Sequence, residues 1–190
     1  MAKVSGETGP GRRLNLIVGG ISAGLLIGGG LIVLLFFLAL GAANWVRSQP
    51  EPAVFLMGDS MPPTLQSFDV VYLRPADDLR RGVIISYSYV GGAISHRIVG
   101  LPGETVEVKE GQVFVGKGVD VHFLEEPYVR NPYKAWNALP VTLGGNDYLT
   151  LGDNRAAPSG RTVHVVPREN IAGIVYRIIF PPWRTRLIEE

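Results

Sequence analysis

The chain has 190 residues, 46% hydrophobic and 18% charged, with a formal net charge of +1. A charge so close to zero gives no reason to expect nucleic acid or a strongly acidic partner. The absence of cysteine excludes disulfides and thiolate metal sites. Three histidines, His96, His122 and His164, follow no metal-ligand spacing, so neither a metal nor another cofactor is expected. The length suits one domain of ordinary size plus an anchor.

Residues 1–13 are short and polar and end in Arg12-Arg13, which reads as a cytoplasmic tail. From Leu14 to Val46 no residue is charged, and about 20 apolar residues are enough to cross the hydrocarbon of a bilayer. The segment 14–46 therefore reads as a transmembrane anchor. Trp45 and Arg47 mark its outer end, and the basic pair before it predicts the N-terminus inside and the remainder outside. A cleaved signal peptide is the competing reading, with small residues at Gly41-Ala42-Ala43. The apolar stretch is much longer than the usual ~7–15 residues of such a signal. The spacing Gly20-xxx-Gly24-xxx-Gly28 suits close packing against another helix or simply a glycine-tolerant span.

Pro50 and Pro52 disfavour helix in the linker beyond the anchor, and residues 47–190 read as β-rich. Val70-Val71-Tyr72-Leu73, the stretch from Gly82 to Val90, and Ile94 to Leu101 predict strands. Thr105 to Val108 and Gln112 to Val115 flank Lys109-Glu110-Gly111 and predict a hairpin. Glu125 to Leu143 reads as an irregular, proline-bearing excursion. Asp147 to Gly152 and Ile171 to Phe180 supply two further strands. The expected fold class is mainly β: an antiparallel, barrel-like sheet on one N-terminal transmembrane helix.

The stretch Met57-Gly58-Asp59-Ser60-Met61-Pro62-Pro63-Thr64-Leu65 places a serine on a turn stiffened by two prolines and a glycine. By itself that is ordinary turn chemistry. Two other stretches accompany it: Ser95-His96-Arg97-Ile98-Val99-Gly100-Leu101-Pro102-Gly103-Glu104 and Leu151-Gly152-Asp153-Asn154-Arg155. In this order, behind an anchor, the three resemble the boxes of type I signal peptidases, membrane-bound serine endopeptidases. The first resembles Ser-Met-x-Pro-Thr, the second the general-base box, and the third the Gly-Asp-Asn-Arg box. Arg81 to Tyr87, Glu126-Pro127-Tyr128 and Val166-Pro167 fall in the family's order as well. The resemblance covers roughly Val54 to Arg177.

The resemblance implies that Ser60 is the nucleophile, attacking the carbonyl after a small-x-small sequence of a secretory signal peptide. It makes the Ser60 amide the first oxyanion donor. Some relatives carry a hydroxyl two residues earlier, where this chain has Gly58, so a second donor has to be a backbone amide or be missing. Where bacterial members usually have lysine, this chain has His96 followed by the expected Arg97; eukaryotic and archaeal members carry histidine before arginine there. Two readings stand for His96: a working base in a Ser-His dyad, or a strand histidine whose lysine was lost together with activity. The third box departs too. The run after Arg155 is one residue short and lacks the family's aspartate, which leaves Ser159 in the place of a hydroxyl that steadies the base. Asp153 is the nearest carboxylate by motif and reads as holding its loop with Asn154 and Arg155. His122 and His164 read as surface residues, and Asp59 as a turn former.

The function expected from this resemblance is removal of N-terminal signal peptides by a serine endopeptidase at the cytoplasmic membrane, its domain extracytoplasmic. The implied partners are signal peptides and the lipid bilayer. Ala53-Val54-Phe55-Leu56 are expected to line shallow pockets for an extended substrate. Phe180 to Trp183, with Arg184 and Arg186, read as a lipid-facing segment or a C-terminal cap. The alternative function is a catalytically inactive relative that binds peptides or partners without cleavage. Self-cleaving repressor peptidases share the chemistry, but the membrane segment, the missing lysine and the lack of a helix-turn-helix pattern speak against them.

Overall fold

The computed structural model describes residues 28–41, 44, 53–90 and 92–188. The chain divides into two compact units, Met1–Gln49 and Pro50–Glu190. In the first, the described residues 28–41 and 44 are helical, and the large apolar side chains from Leu31 to Leu38 are exposed. The run 28–41 rises roughly 21 Å at about 1.5 Å per residue, short of the ~30 Å hydrocarbon layer. Among the described residues no helix is long and apolar enough to cross a membrane. The expected tail 1–13, residues 14–27, 42, 43, 45 and 46 of the expected anchor, and the linker from Arg47 to Pro52 lie outside the described residues.

The second unit is built of antiparallel strands, as its alternating and β-branched runs lead one to expect. They are β1 (Ala53–Phe55), β2 (Val70–Arg74), β3 (Ile84–Tyr89), β4 (Gly92–Gly100), β5 (Thr105–Lys109), β6 (Gln112–Lys117), β7 (Asp120–Phe123), β8 (Ala138–Thr142), β9 (Asp147–Leu151), β10 (His164–Pro167), β11 (Ile171–Phe180) and β12 (Arg186–Leu187). The larger sheet has the order β1-β2-β11-β3-β4-β9-β10, with β12 added to β11; the smaller has the order β7-β6-β5-β8.

Burial explains the two kinds of strand. Val70 to Leu73 and Ile84 to Tyr87 are buried throughout, because the larger sheet is covered on both faces and selects continuous apolar runs. One face of β2, β3 and β11 packs Val71, Leu73, Ile84 and Ile178 against Met61 and Leu65. The other packs Val83, Ile85, Tyr87, Ile98 and Ile174 against Tyr148 and Val166. The smaller sheet follows the simpler rule: Val106, Val108, Val113 and Val115 point inward onto Val99, Leu149 and Leu151, and their neighbours face water. Its hairpin turns at Glu110 and Gly111, with φ of 50° and 76°, the paired left-handed conformations of a tight two-residue turn.

The structure corrects the reading of 125–143 as wholly irregular, since β8 lies within it. It also adds β1, β7, β10 and β12, which the sequence did not reveal. Pro140 inside β8 and Pro167 at the end of β10 are tolerated because both strands lie at sheet edges, where a missing amide donor breaks no ladder bond.

Packing in the smaller core has a direct test. A Cβ at Gly100 would sit 2.6 Å from Val106 Cγ2, 2.8 Å from Leu143 Cδ1 and 2.9 Å from Leu149 Cβ. Gly100→Ala is expected to cost roughly 1–3 kcal/mol of unfolding free energy by overpacking. Gly145→Ala, with nothing within 4 Å of the added carbon, is expected to stay within about 0.5 kcal/mol. Urea denaturation of the two full-length variants separates these outcomes.

Candidate active site

The serine lies on a loop closed at its base by two backbone bonds, Leu56 N–H to Asp69 O at 2.9 Å and Phe68 N–H to Leu56 O at 2.8 Å. Gly58 takes φ +123°, a conformation open to glycine and strained for other residues. Its amide donates to Ser67 Oγ at 3.1 Å, and the Ser67 hydroxyl donates back to Gly58 O at 2.6 Å. The Gly58 amide is thus engaged, and this residue shapes the turn. Met61 and Leu65 sink into the core just beyond Ser60, pinning the loop from below. The buried Asp69 carboxylate accepts the Gln66 amide and is gripped by Arg184 at 2.8 and 2.9 Å. Arg186 donates to Thr64 O at 2.9 Å. The C-terminal arginines therefore brace the serine loop.

The Gly152-Asp153-Asn154-Arg155 loop holds Ser60 from the other side. Asn154 donates its amide to Ser60 O at 2.9 Å and its side-chain Nδ2 to Asp59 O at 2.7 Å. A Cβ at Gly152 would overlap the Ser60 carbonyl, and one at Gly160 would overlap the Asn154 carbonyl. Glycine is required at both positions because backbone packs directly on backbone. The Ser159 hydroxyl donates to Asp59 Oδ1 at 2.6 Å, closing the same turn. With its carbonyl fixed in this way, Ser60 keeps both its Oγ and its amide without a partner among the described residues.

β4 carries His96 and Arg97, and strand alternation sends them to opposite faces. Arg97 makes a buried two-pronged ion pair with Asp153, Nε to Oδ1 at 2.9 Å and Nη2 to Oδ2 at 2.6 Å. Thr64, four residues after the serine, donates its hydroxyl to Asp153 Oδ2 at 2.5 Å. The Arg97 guanidinium stacks 4.0 Å above Tyr128, whose hydroxyl donates to Glu126 at 2.9 Å. Glu126 in turn pairs with the fully buried Arg155 at 2.6 Å. Asp153 and Arg155 thus lie outside the walls of the cleft and fix its frame.

His96 is 2% exposed. Antiparallel register brings Tyr87 of β3, Thr150 of β9 and His164 of β10 to its face of the sheet. The Tyr87 hydroxyl lies 3.1 Å from His96 Nδ1, and the Thr150 hydroxyl donates to Tyr87 at 3.2 Å. The His164 ring packs edge-on, 5.2 Å between centroids. Burial above all, then His164 and Arg155, pushes the His96 imidazole down to about 3. Burial also lowers His164. The expectation that His164 is a surface residue is corrected: it is buried, and its Nδ1 has no partner among the described residues. His122, on β7, is exposed as expected.

Ser60, His96, His164, Ser159 and Gly58 line one cleft of about 250 Å³, walled by Leu56, Met57, Met61, Leu65 and Ile94. Of the apolar residues before the serine, Leu56 reaches this cleft; Val54 packs on the core and Phe55 is exposed. Tyr87, Thr150 and Thr64 went unrecognised as site residues in the sequence. The available signal for the first two was pairing: once β3, β4 and β9 are aligned, each falls on the same face as His96. Among the described residues no group of three or more His, Cys, Asp or Glu is arranged to hold a metal.

Comparison with known proteins adds the chemical context. The family described as signal peptidase, peptidase S26, matches residues 31–180. A probable signal peptidase I-2 of Synechocystis sp. is 30% identical over 176 residues, 85% of this chain and 76% of the relative. Signal peptidase I S of Bacillus subtilis is 31% identical over 162 residues, 79% of this chain and 86% of the relative. A crystal structure of a signal peptidase I from Enterococcus faecalis V583 aligns with TM-score 0.43 and 23% identity, over 52% of this chain and 97% of that one.

Two outcomes follow from the site's electrostatics. Asp153→Asn leaves the Arg97 guanidinium, with only 6% of its side chain exposed, without its counter-charge, and is expected to lose about 3–5 kcal/mol of stability. The second concerns acid. Below the ordinary imidazole value of 6.5 the unfolded chain binds a proton that folded His96, held near 3, does not. Stability should therefore fall as the pH drops from about 6.5 toward 3. His96→Asn is expected to flatten that slope in a series of thermal melts against pH.

Proposed function

Because this chain belongs to the signal peptidase family, peptidase S26, we propose that it is a serine endopeptidase that removes signal peptides from secretory precursors, with Ser60 as nucleophile and His96 as general base. The observation that carries the residue assignment is the shared cleft: Ser60, whose hydroxyl and amide have no partner among the described residues, lines the same cleft as a buried, neutral imidazole. A serine hydroxyl needs a nearby base to attack a carbonyl at neutral pH. His96 takes the Ser60 proton as Oγ attacks, and the amide of Ser60 donates to the oxyanion. The imidazolium then returns the proton to the leaving amine. A water molecule, deprotonated by the same imidazole, clears the acyl-serine ester.

The cleft favours small side chains beside the scissile bond, since Met61, Leu65 and Ile94 close its walls. β1 is an edge strand pairing only with β2 among the described residues. Its open side offers backbone groups to an extended peptide. The exposed apolar helical residues Leu31 to Leu38 support a membrane location, with 14–46 as the anchor, the tail 1–13 inside and the peptidase unit outside. Nothing favours the non-cleaving alternative.

Cleavage of a precursor bearing an Ala-x-Ala site by the detergent-solubilised full chain tests this reading. Ser60→Ala and His96→Ala are each expected to lower kcat by about a thousandfold or more. If His96→Ala retains its rate, the base is another group. The base works when neutral, and burial holds His96 near 3. The acid limb of kcat/KM should therefore lie well below 6.5.

A further inference from the structure

Resting on the reading of His96 as the base, a second question is what sets the nitrogen on which its proton sits. In a neutral imidazole one nitrogen donates and the other accepts, and the partner of one decides the role of the other. Elsewhere a carboxylate commonly accepts from Nδ1–H and leaves Nε2 bare. Here the nearest carboxylate by sequence, Asp153, is engaged by Arg97 and Thr64. The groups facing His96 are the Tyr87 hydroxyl from β3, Thr150 behind it from β9, His164 from β10 and the Arg155 charge. Tyr89 packs against His164, 4.5 Å between centroids. None of these is an anion.

The direction of the hydroxyl chain is informative. Thr150 Oγ–H donates to the Tyr87 oxygen, so the phenol hydrogen is left for the remaining neighbour, His96 Nδ1 at 3.1 Å. Each hydroxyl then donates once, Thr150 to Tyr87 to His96, and no buried donor is stranded. Nδ1 becomes the acceptor, and the ring's proton sits on Nε2, which bonds to nothing among the described residues.

We propose that Tyr87 is the positioning residue that sets the tautomer of His96, holding the resting ring with its proton on Nε2 and accepting Nδ1–H when the ring works as a base. A carboxylate can only accept, whereas a phenol does both. In the resting state the imidazole presents N–H to the cleft, and Ser60 is not activated. Base action at Nε2 requires the other tautomer, reached when Nδ1 takes one proton from water and Nε2 returns its own to water in the cleft, with the phenol hydrogen turned away from Nδ1. The imidazolium formed on taking the Ser60 proton keeps that same Nδ1–H bond to the Tyr87 oxygen, now strengthened by charge. Tyr87 is nearly fully buried among Ile85, Ile98 and Ile174, so its ring cannot swing away and the hydroxyl remains at the imidazole throughout.

The test reads the tautomer directly. Full-length protein labelled with 15N at its three histidines is measured by NMR near pH 7, with the His96 signals assigned from a His96→Asn sample. Resting wild type is expected to show a protonated Nε2 and a bare Nδ1. Tyr87→Phe keeps the packing ring and removes the hydroxyl. It should lose that preference, and because no oxygen is left to accept Nδ1–H from the imidazolium, kcat on the Ala-x-Ala precursor should fall by about tenfold or more while KM stays within about twofold. If Tyr87→Phe does not fold, Thr150→Val, which frees the phenol hydrogen to turn, should weaken the same preference. A bare Nε2 in resting wild type overturns the proposal, as does a variant with unchanged tautomer and unchanged kcat. A base other than His96 would reveal itself separately, as retained activity in His96→Ala.

Discussion

The buried pair between Arg97 and Asp153 is the joint on which the site depends. It ties three segments far apart in sequence: β4 with His96, the loop after β9, and, through Thr64, the turn with Ser60. An isolated ion pair at this depth gains little net stability, because desolvation offsets most of the attraction. Its contribution is geometric. A planar guanidinium meeting a carboxylate along two bonds fixes distance and angle at once, and His96 immediately precedes Arg97 on an extended strand. Asn154, adjacent to the aspartate, holds the Ser60 carbonyl. Ser60 and His96 are therefore referred to one rigid contact.

Burial of a histidine and of a lysine both favour the neutral base, but from different starting points. A lysine must come down several units before it can accept a proton near pH 7, while a histidine is already largely neutral there. Burying His96 this deeply brings it lower than neutrality requires, to about 3. In the proposed role, such an imidazole is available as a base over a wide acidic range but weak in driving force. Neutral partners around it, Tyr87 and Thr150 rather than a carboxylate, leave that shift uncorrected.

What the sequence revealed of the fold follows a physical division. The strands expected from composition and alternation, β2, β3, β4, β5, β6, β9 and β11, are interior strands of the two sheets. Those that went unseen, β1, β7, β8, β10 and β12, each pair with a single neighbour among the described residues. Interior strands bury enough apolar surface to leave a pattern; β7 is exposed along its whole length and leaves none. The site divides similarly. Ser60 and His96, which share the cleft, were legible as candidates because they sit in ordered boxes. Tyr87 and His164 were not, since their roles arise from cross-strand neighbours 9 residues and 68 residues away from His96 in the chain, and no local pattern encodes that register.

The smaller sheet contributes no wall to the cleft shared by Ser60 and His96. It ends in a turn at Gly118 and Val119, where Gly118 has φ +62° and Val119 is fully exposed. A segment so placed is free of the constraints that hold the serine loop and the Gly-Asp-Asn-Arg loop. Loop tips of this kind accept inserted residues more readily than packed elements do. The turn is accordingly a handle: a fluorophore, an affinity epitope or a crosslinker attached there would report on the enzyme in its native surroundings while leaving the chemistry untouched.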